Sequence, residues 1–132
     1  MSRRLAYTSL LVPDYDEAIA FFTSALRFTL LEDTPLSPTK RWVVVAPSGD
    51  GGALLLAKPS TPEQAALIGG QGAGRVWLFL HTDEFDADVA HLQKHGVRLT
   101  ETPRQESYGR VVVFLDLYGN RWDLIEQPSA IK

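Results

Sequence analysis

Residues 116 to 127 read DLYGNRWDLIEQ and contain one carboxylate, Asp123, placed to do chemistry. Gly119-Asn120 lies between two apolar runs, and both residue types accept the positive φ of a tight hairpin turn. The strand after the turn alternates: Arg121, Asp123 and Ile125 on one face, Trp122, Leu124 and Glu126 on the other. Asp123 therefore points away from Trp122 and Leu124, which have the character of core. With two or three His or carboxylate neighbours, such an acid ligates a divalent metal. Beside aromatic side chains and without those neighbours, its pKa rises, and it acts as a general base or anchors a cationic group. The plainer alternative is a structural acid paired with Arg121 or Arg110.

The elements that position Asp123 occur twice. Residues 5 to 12 read as a strand that Pro13-Asp14 stops. Asp14 is placed as an N-cap with Glu17 three residues on, and Ala18, Ile19, Phe22 and Leu26 follow at helical spacing. Strand-like runs come next at 28 to 32, 42 to 46 and 53 to 57, the last two joined by the turn PSGDGG. The order then recurs: a strand over 76 to 82, a helix from Asp83 through Val89 and Leu92 that Gly96 ends, a pairing segment at 97 to 100, and a closing hairpin of 110 to 115 with 121 to 126. LLVPDYDEAIAFF overlays LHTDEFDADVAHL, with Tyr15 on Phe85 and Asp16 on Asp86. WVVVAPSGDGGALLLAK overlays RVVVFLDLYGNRWDLIE, with Gly51 on Gly119 and Leu56 on Leu124. Each half is a βαβββ module, module one at about 1–59 and module two at about 75–132. The linker of about 60–74 is expected to hold a short helix and then a Gly-rich hinge. One helix over one sheet face leaves the other face open, and two such faces placed together enclose a cavity.

Strand parity assigns side chains to that cavity. Thr8, Leu10 and Val12 lead into an apolar helix stripe, so Tyr7, Ser9 and Leu11 face the other way. By the repeat, Trp77, Phe79 and His81 do the same in module two. Ala53, Leu55 and Ala57 join them from the last strand of module one; Arg121, Asp123 and Ile125 join from that of module two.

The pattern resembles the vicinal oxygen chelate superfamily, which includes glyoxalases, extradiol dioxygenases and fosfomycin- and bleomycin-resistance proteins. The resemblance rests on SLLVPDYDEAIAFF, LHTDEFDADVAHLQKHGV and FLDLYGNRWDLIE, and covers nearly the whole chain. It implies an α+β fold: two βαβββ modules forming an open barrel-like sheet around a central cavity, helices outside, often completed in a homodimer. In metal-dependent relatives the first strand of each module supplies a ligand, usually His, and the last strand another, usually Glu. The resemblance places those positions at Tyr7, Leu55, Trp77 and Asp123. Leu and Trp offer no usable lone pair, so Asp123 is the one good ligand and no cofactor is expected. Arg27 stands where relatives commonly carry Gly at the end of the first helix.

Other constellations carry less. His91 and His95 lie one helical turn apart in HLQKH, without a third ligand in view; cations near a helix C-terminus are favoured by the dipole in any case. His81 ends its strand and reads as an acid/base at the cavity mouth or as a solvated residue. GGQGAGR, residues 69 to 75, lacks the spacing of a phosphate loop. Arg104, Arg110 and Arg121 serve an anionic substrate or a solvated rim.

The totals set the outer bounds. The chain has 132 residues, no cysteine and a formal charge of −3. Disulfides, thiolate metal sites and Cys nucleophiles are excluded. No basic cluster extends beyond Arg3-Arg4, so nucleic acid is not an expected partner. No run is long and apolar enough to span a membrane and no signal-peptide pattern opens the sequence, so the cytoplasm is the expected location. The reading is a glyoxalase/bleomycin-resistance-like protein that binds a small organic molecule among Tyr7, Ser9, Leu55, Trp77, Phe79, Arg121 and Asp123, without the usual divalent metal. The alternatives are a lyase, isomerase or dioxygenase using Asp123, with or without a metal, and a non-catalytic interaction module.

Overall fold

The computed structural model describes residues 1–127, so the last five residues of the expected second module lie outside the described residues. The chain divides into two compact units, Met1–Ile68 and Gly69–Lys132.

Unit one runs β1 (Tyr7–Leu11), α1 (Tyr15–Ser24), β2 (Thr29–Pro35), β3 (Arg41–Ala46), β4 (Ala53–Ala57) and a short α2 (Pro62–Ala65). Unit two runs β5 (Val76–Thr82), α3 (Phe85–Lys94), β6 (Arg104–Glu106), β7 (Gly109–Leu115) and β8 (Arg121–Glu126). The sheets have the same topology, β1-β4-β3-β2 and β5-β8-β7-β6, with the first and last strands of each unit parallel. The fold is α+β, two βαβββ modules, as the repeat requires.

The helices form where the sequence caps them. Asp14 accepts a hydrogen bond from the Glu17 backbone N–H at 2.7 Å, and Asp16 and Glu17 meet the positive end of the α1 dipole. Tyr15, Ala18 and Phe22 bury one stripe. Leu10, Val43, Val45, Leu54 and Leu56 are buried by strand parity, and Leu124, Trp122, Val112 and Phe114 form the matching layer in unit two.

An arginine clamp repeats in both units. Arg41, at the start of β3, bridges Asp16 on α1 (3.0 Å) and Asp33 on β2 (2.7 Å), with its guanidinium 5.1 Å from the Tyr15 ring centre. Arg110, near the start of β7, bridges Asp86 on α3 (2.8 Å) and Glu126 on β8 (3.0 Å), 4.8 Å from the Phe85 ring centre. Each clamp ties the first turn of a helix to its sheet. Arg110 is thus neither a partner of Asp123 nor part of a free cationic rim.

The segment 97 to 100 pairs with β7 through the Leu99–Phe114 bridge and through the bonds from Thr100 N–H to the Val113 carbonyl (3.0 Å) and from Leu115 N–H to the Arg98 carbonyl (2.9 Å); the sequence did not show that β6 continues this edge as the fourth strand of unit two. Two glycines of the Gly-rich run are closely packed. A Cβ on Gly69 would lie 2.0 Å from the Tyr118 carbonyl oxygen, and one on Gly72 would lie 2.7 Å from the Trp77 Cβ.

The two main helices stop by the same geometry with different residues. Gly96 has φ +72° and Val97 N–H returns to the Leu92 carbonyl (2.9 Å); Arg27 has φ 58° and Phe28 N–H returns to the Phe22 carbonyl (2.8 Å). Arg27 is exposed and bears the Cβ strain of the left-handed region. Arg27→Gly is therefore expected to stabilise the protein by roughly 0.5–1 kcal/mol in denaturant unfolding. An unchanged or lowered midpoint would mean that the Arg27 side chain offsets its backbone strain.

Candidate functional site

Each sheet has a face opposite its helix, and Tyr7, Ser9, Leu55, Phe79 and Asp123 share these faces by register. In unit one, Tyr7 pairs in register with Ala53 and Ser9 with Leu55. Tyr7 is 49% exposed and meets Trp42 edge to face, with ring centres 5.9 Å apart. At the β3–β4 hairpin end of this face lies a cleft of about 390 Å³, lined among others by Tyr7, Val44, Ala46 and Ala53. That volume lies within the range of small-molecule sites.

In unit two, Phe79 pairs with Asp123, and Asp123 with Val113 on the other side. Phe79 is 61% exposed. Trp77 departs from simple alternation. The β5–β8 register slips between Val76 and Leu78, so Trp77 sits in a bulge, half-buried, its Cβ against Gly72. Arg121 is exposed at the start of β8, opposite Leu115. His81 is exposed opposite Ile125. The structure thus brings Phe79 and Asp123 together in unit two, and Ser9 and Leu55 in unit one.

The Asp123 position is built by the turn before it. Asp116 is buried at 5% exposure and accepts from the backbone N–H groups of Tyr118 and Asn120, from Asn120 Nδ2, and from Trp122 Nε1 at 3.0 Å. The turn closes at Gly119, φ +96°. This knot fixes where β8 begins, and hence which face Asp123 takes. The sequence signals only the Gly-Asn hairpin; the role of Asp116 depends on a carboxylate-to-indole bond that no local pattern announces.

The electrostatics of Asp123 are those of an unpaired acid. Among the described residues its Oδ1, like Asn120 Oδ1, is shut off from solvent and has no hydrogen-bond partner. Burial pushes its carboxyl pKa up, nearby Arg104 pulls it down, and Glu101 pushes it up again. Arg104 does not pair with Asp123 because it is already held. Its Nε meets both Glu101 oxygens at 3.0 Å, and Nη1 meets Glu106. Glu101 is fixed in turn by the Val113 N–H at 3.1 Å. Sequence reasoning missed Glu101, and it left Arg104 on the rim, because their proximity to Asp123 arises from β6.

The metal-ligand positions implied by resemblance hold one carboxylate, one phenol, one indole and one aliphatic side chain: Asp123, Tyr7, Trp77 and Leu55. Among the described residues no three His, Asp or Glu side chains are grouped to hold a metal ion. His91 and His95 have ring centres 4.3 Å apart on α3 but gain no third ligand there. Of these four side chains, the Asp123 carboxylate alone is of a type that commonly ligates a divalent metal.

Comparisons with known proteins agree with the architecture. A family model described as Glyoxalase/Bleomycin resistance protein/Dioxygenase superfamily matches residues 4–124. An uncharacterized protein of Shewanella frigidimarina is 48% identical over 96% of this chain and 95% of its own length. TnmS3, an antibiotic binding protein from Streptomyces sp. CB03234, superposes with a TM-score of 0.77 at 33% identity, covering 98% of this chain and 99% of its own. A glyoxalase/bleomycin resistance protein from the same Streptomyces strain gives a TM-score of 0.72 at 34% identity, covering 91% and 97%.

The two polar features of unit two differ in what their removal does. Asp116→Ala removes the acceptor of the Trp122 indole N–H and of the Asn120 amide, and is expected to cost about 3 kcal/mol or more in denaturant unfolding. A loss under about 1 kcal/mol would show that the knot is dispensable. Asp123→Asn should act in the opposite sense. The folded pKa of Asp123 lies above its ordinary value of 3.8, so the native state holds that proton more tightly than the unfolded chain. The stability this contributes is present below 3.8 and is lost as pH rises through the folded value. The variant should therefore melt above wild type at pH 7, with the gain shrinking as pH falls towards 3.8. A pH-independent difference in Tm would contradict the unpaired-acid description.

Proposed function

Because the chain belongs to the glyoxalase/bleomycin resistance protein/dioxygenase superfamily, we propose that it binds a small organic molecule on its open sheet faces without a divalent metal, as a cytoplasmic homodimer. The observation that carries this reading is Asp123 Oδ1, an acceptor without a partner beside the exposed ring of Phe79. A buried acceptor left unsatisfied costs roughly 1–3 kcal/mol, so natural structures rarely keep one without a use. A ligand that stacks on Phe79 and brings a cationic group to the part-exposed Asp123 carboxylate covers the ring and neutralises the acid. The 33% identity to an antibiotic-binding protein supports the same class of ligand. The dimer is supported by the aromatics Tyr7 and Phe79, which the chain itself leaves exposed on the uncovered faces.

A second reading has one observation in its favour. Burial that raises the Asp123 pKa moves it towards that of a general base, suited to proton abstraction beside a carbonyl in a lyase or isomerase.

Proflavine, a flat cation, and acridone, its neutral counterpart, separate these contributions by fluorescence titration. Wild type is expected to bind proflavine more tightly than acridone. Asp123→Asn is expected to weaken proflavine about tenfold and to leave acridone unchanged. Equal proflavine affinity in wild type and Asp123→Asn would remove Asp123 from the binding site.

A further inference from the structure

The cleft in unit one contains more than an apolar floor. Its residues include two opposite charges, Arg4 and Glu32, with Tyr7, Val44, Ala46 and Ala53 between them. Arg4 lies on the segment that leads into β1, and Glu32 on β2 opposite Val44. The strand order β1-β4-β3-β2 separates these edges by the whole width of the sheet. At ~4.8 Å per inter-strand step, three steps make about 14 Å.

Both charges have capacity to spare. Arg41, Arg104 and Arg110 are each committed to two carboxylates, whereas Arg4 makes no ion pair or hydrogen bond among the described residues. Glu32 accepts one hydrogen bond through Oε2, from Thr34 Oγ1 at 3.1 Å, which leaves Oε1 open. The register slip between Leu30 and Glu32 places Glu32 opposite Val44, on the face with the cleft. Without the bulge it would take the other parity.

We infer that this cleft selects an elongated amphoteric molecule with an apolar middle, its anionic end at Arg4 and its ammonium end at Glu32. The inference rests on the reading that the open faces bind small molecules, and goes beyond it by fixing the ligand's charge pattern in unit one. A single positive or negative charge is attracted at one end of the cleft and faces unlike chemistry at the other. A molecule carrying both, set apart by an aliphatic or flat spacer, satisfies both ends and covers Val44, Ala46 and Ala53.

The test is an amide-resolved NMR titration with 8-aminooctanoate, octanoate and octylamine. The reporters are the backbone amides of Val44, Ala46 and Ala53. The amphoteric probe is expected to bind about fivefold more tightly than either singly charged one. Arg4→Gln should remove its advantage over octylamine, and Glu32→Gln its advantage over octanoate. Both residues are exposed, so the variants should keep the wild-type spectrum. Equal binding of the three probes, or an advantage that survives both substitutions, would overturn the inference. Proflavine binding that still depends on Asp123 would then leave the general reading standing. Loss of that dependence alone would remove the general reading and not the cleft's charge selectivity.

Discussion

A ten-residue helix is about 15 Å long and covers one face of a four-stranded sheet. Each unit of this chain has one such helix and one such sheet, so each sheet has a face with no helix of its own. The covered faces carry Leu10, Leu54 and Leu56, or Trp122 and Leu124, all buried. The opposite faces carry Tyr7, Ser9, Phe79 and Asp123 among aliphatic residues such as Val44, Leu55 and Val113.

The helices are fixed to their sheets by more than apolar packing. Arg41 and Arg110 each join a helix N-terminal carboxylate, a strand carboxylate and an aromatic ring. Glu126 is held below its ordinary pKa by its hydrogen bond from Arg110, and Asp33 likewise by Arg41. The stability these groups contribute is present above their ordinary carboxylate values and is lost as pH falls through the lower folded ones. Asp123 titrates with the opposite sign, because it has burial without a partner. Arg41 and Arg110 thus hold paired acids, whereas among the described residues Asp123 Oδ1 has no hydrogen-bond partner.

Much of this was legible in the sequence. The overlay of residues 10 to 22 on 80 to 92 revealed the repeat, Asp14 marked a helix start and Gly96 a helix end, and strand parity put Ser9 with Leu55 and Phe79 with Asp123 on the uncovered faces. What escaped had physical reasons. Arg41 and Arg110 share a role but are 69 residues apart, a spacing that falls between the 70 of the first overlay (Leu10 to Leu80) and the 68 of the second (Leu56 to Leu124). Strand β6 is RQE, polar throughout at a sheet edge, and lacks the apolar signal that drew attention to 97 to 100. The bulge at Trp77 accompanies a tight local packing against Gly72 that residue alternation does not signal. Glu101 meets Arg104 and Val113 only once β6 and β7 are paired.

Asp123 thus occupies a position that resemblance assigns to a metal ligand, while the matching positions hold Tyr7, Leu55 and Trp77. The central claim is that this carboxylate serves an organic ligand in place of a metal. Calorimetric titration of nickel, zinc, iron(II) and manganese into wild type and Asp123→Ala tests it most directly. The account predicts no stoichiometric binding of any of the four to either protein. One-to-one binding to wild type that Asp123→Ala abolishes would contradict it and establish a metal centre with an unusual ligand set.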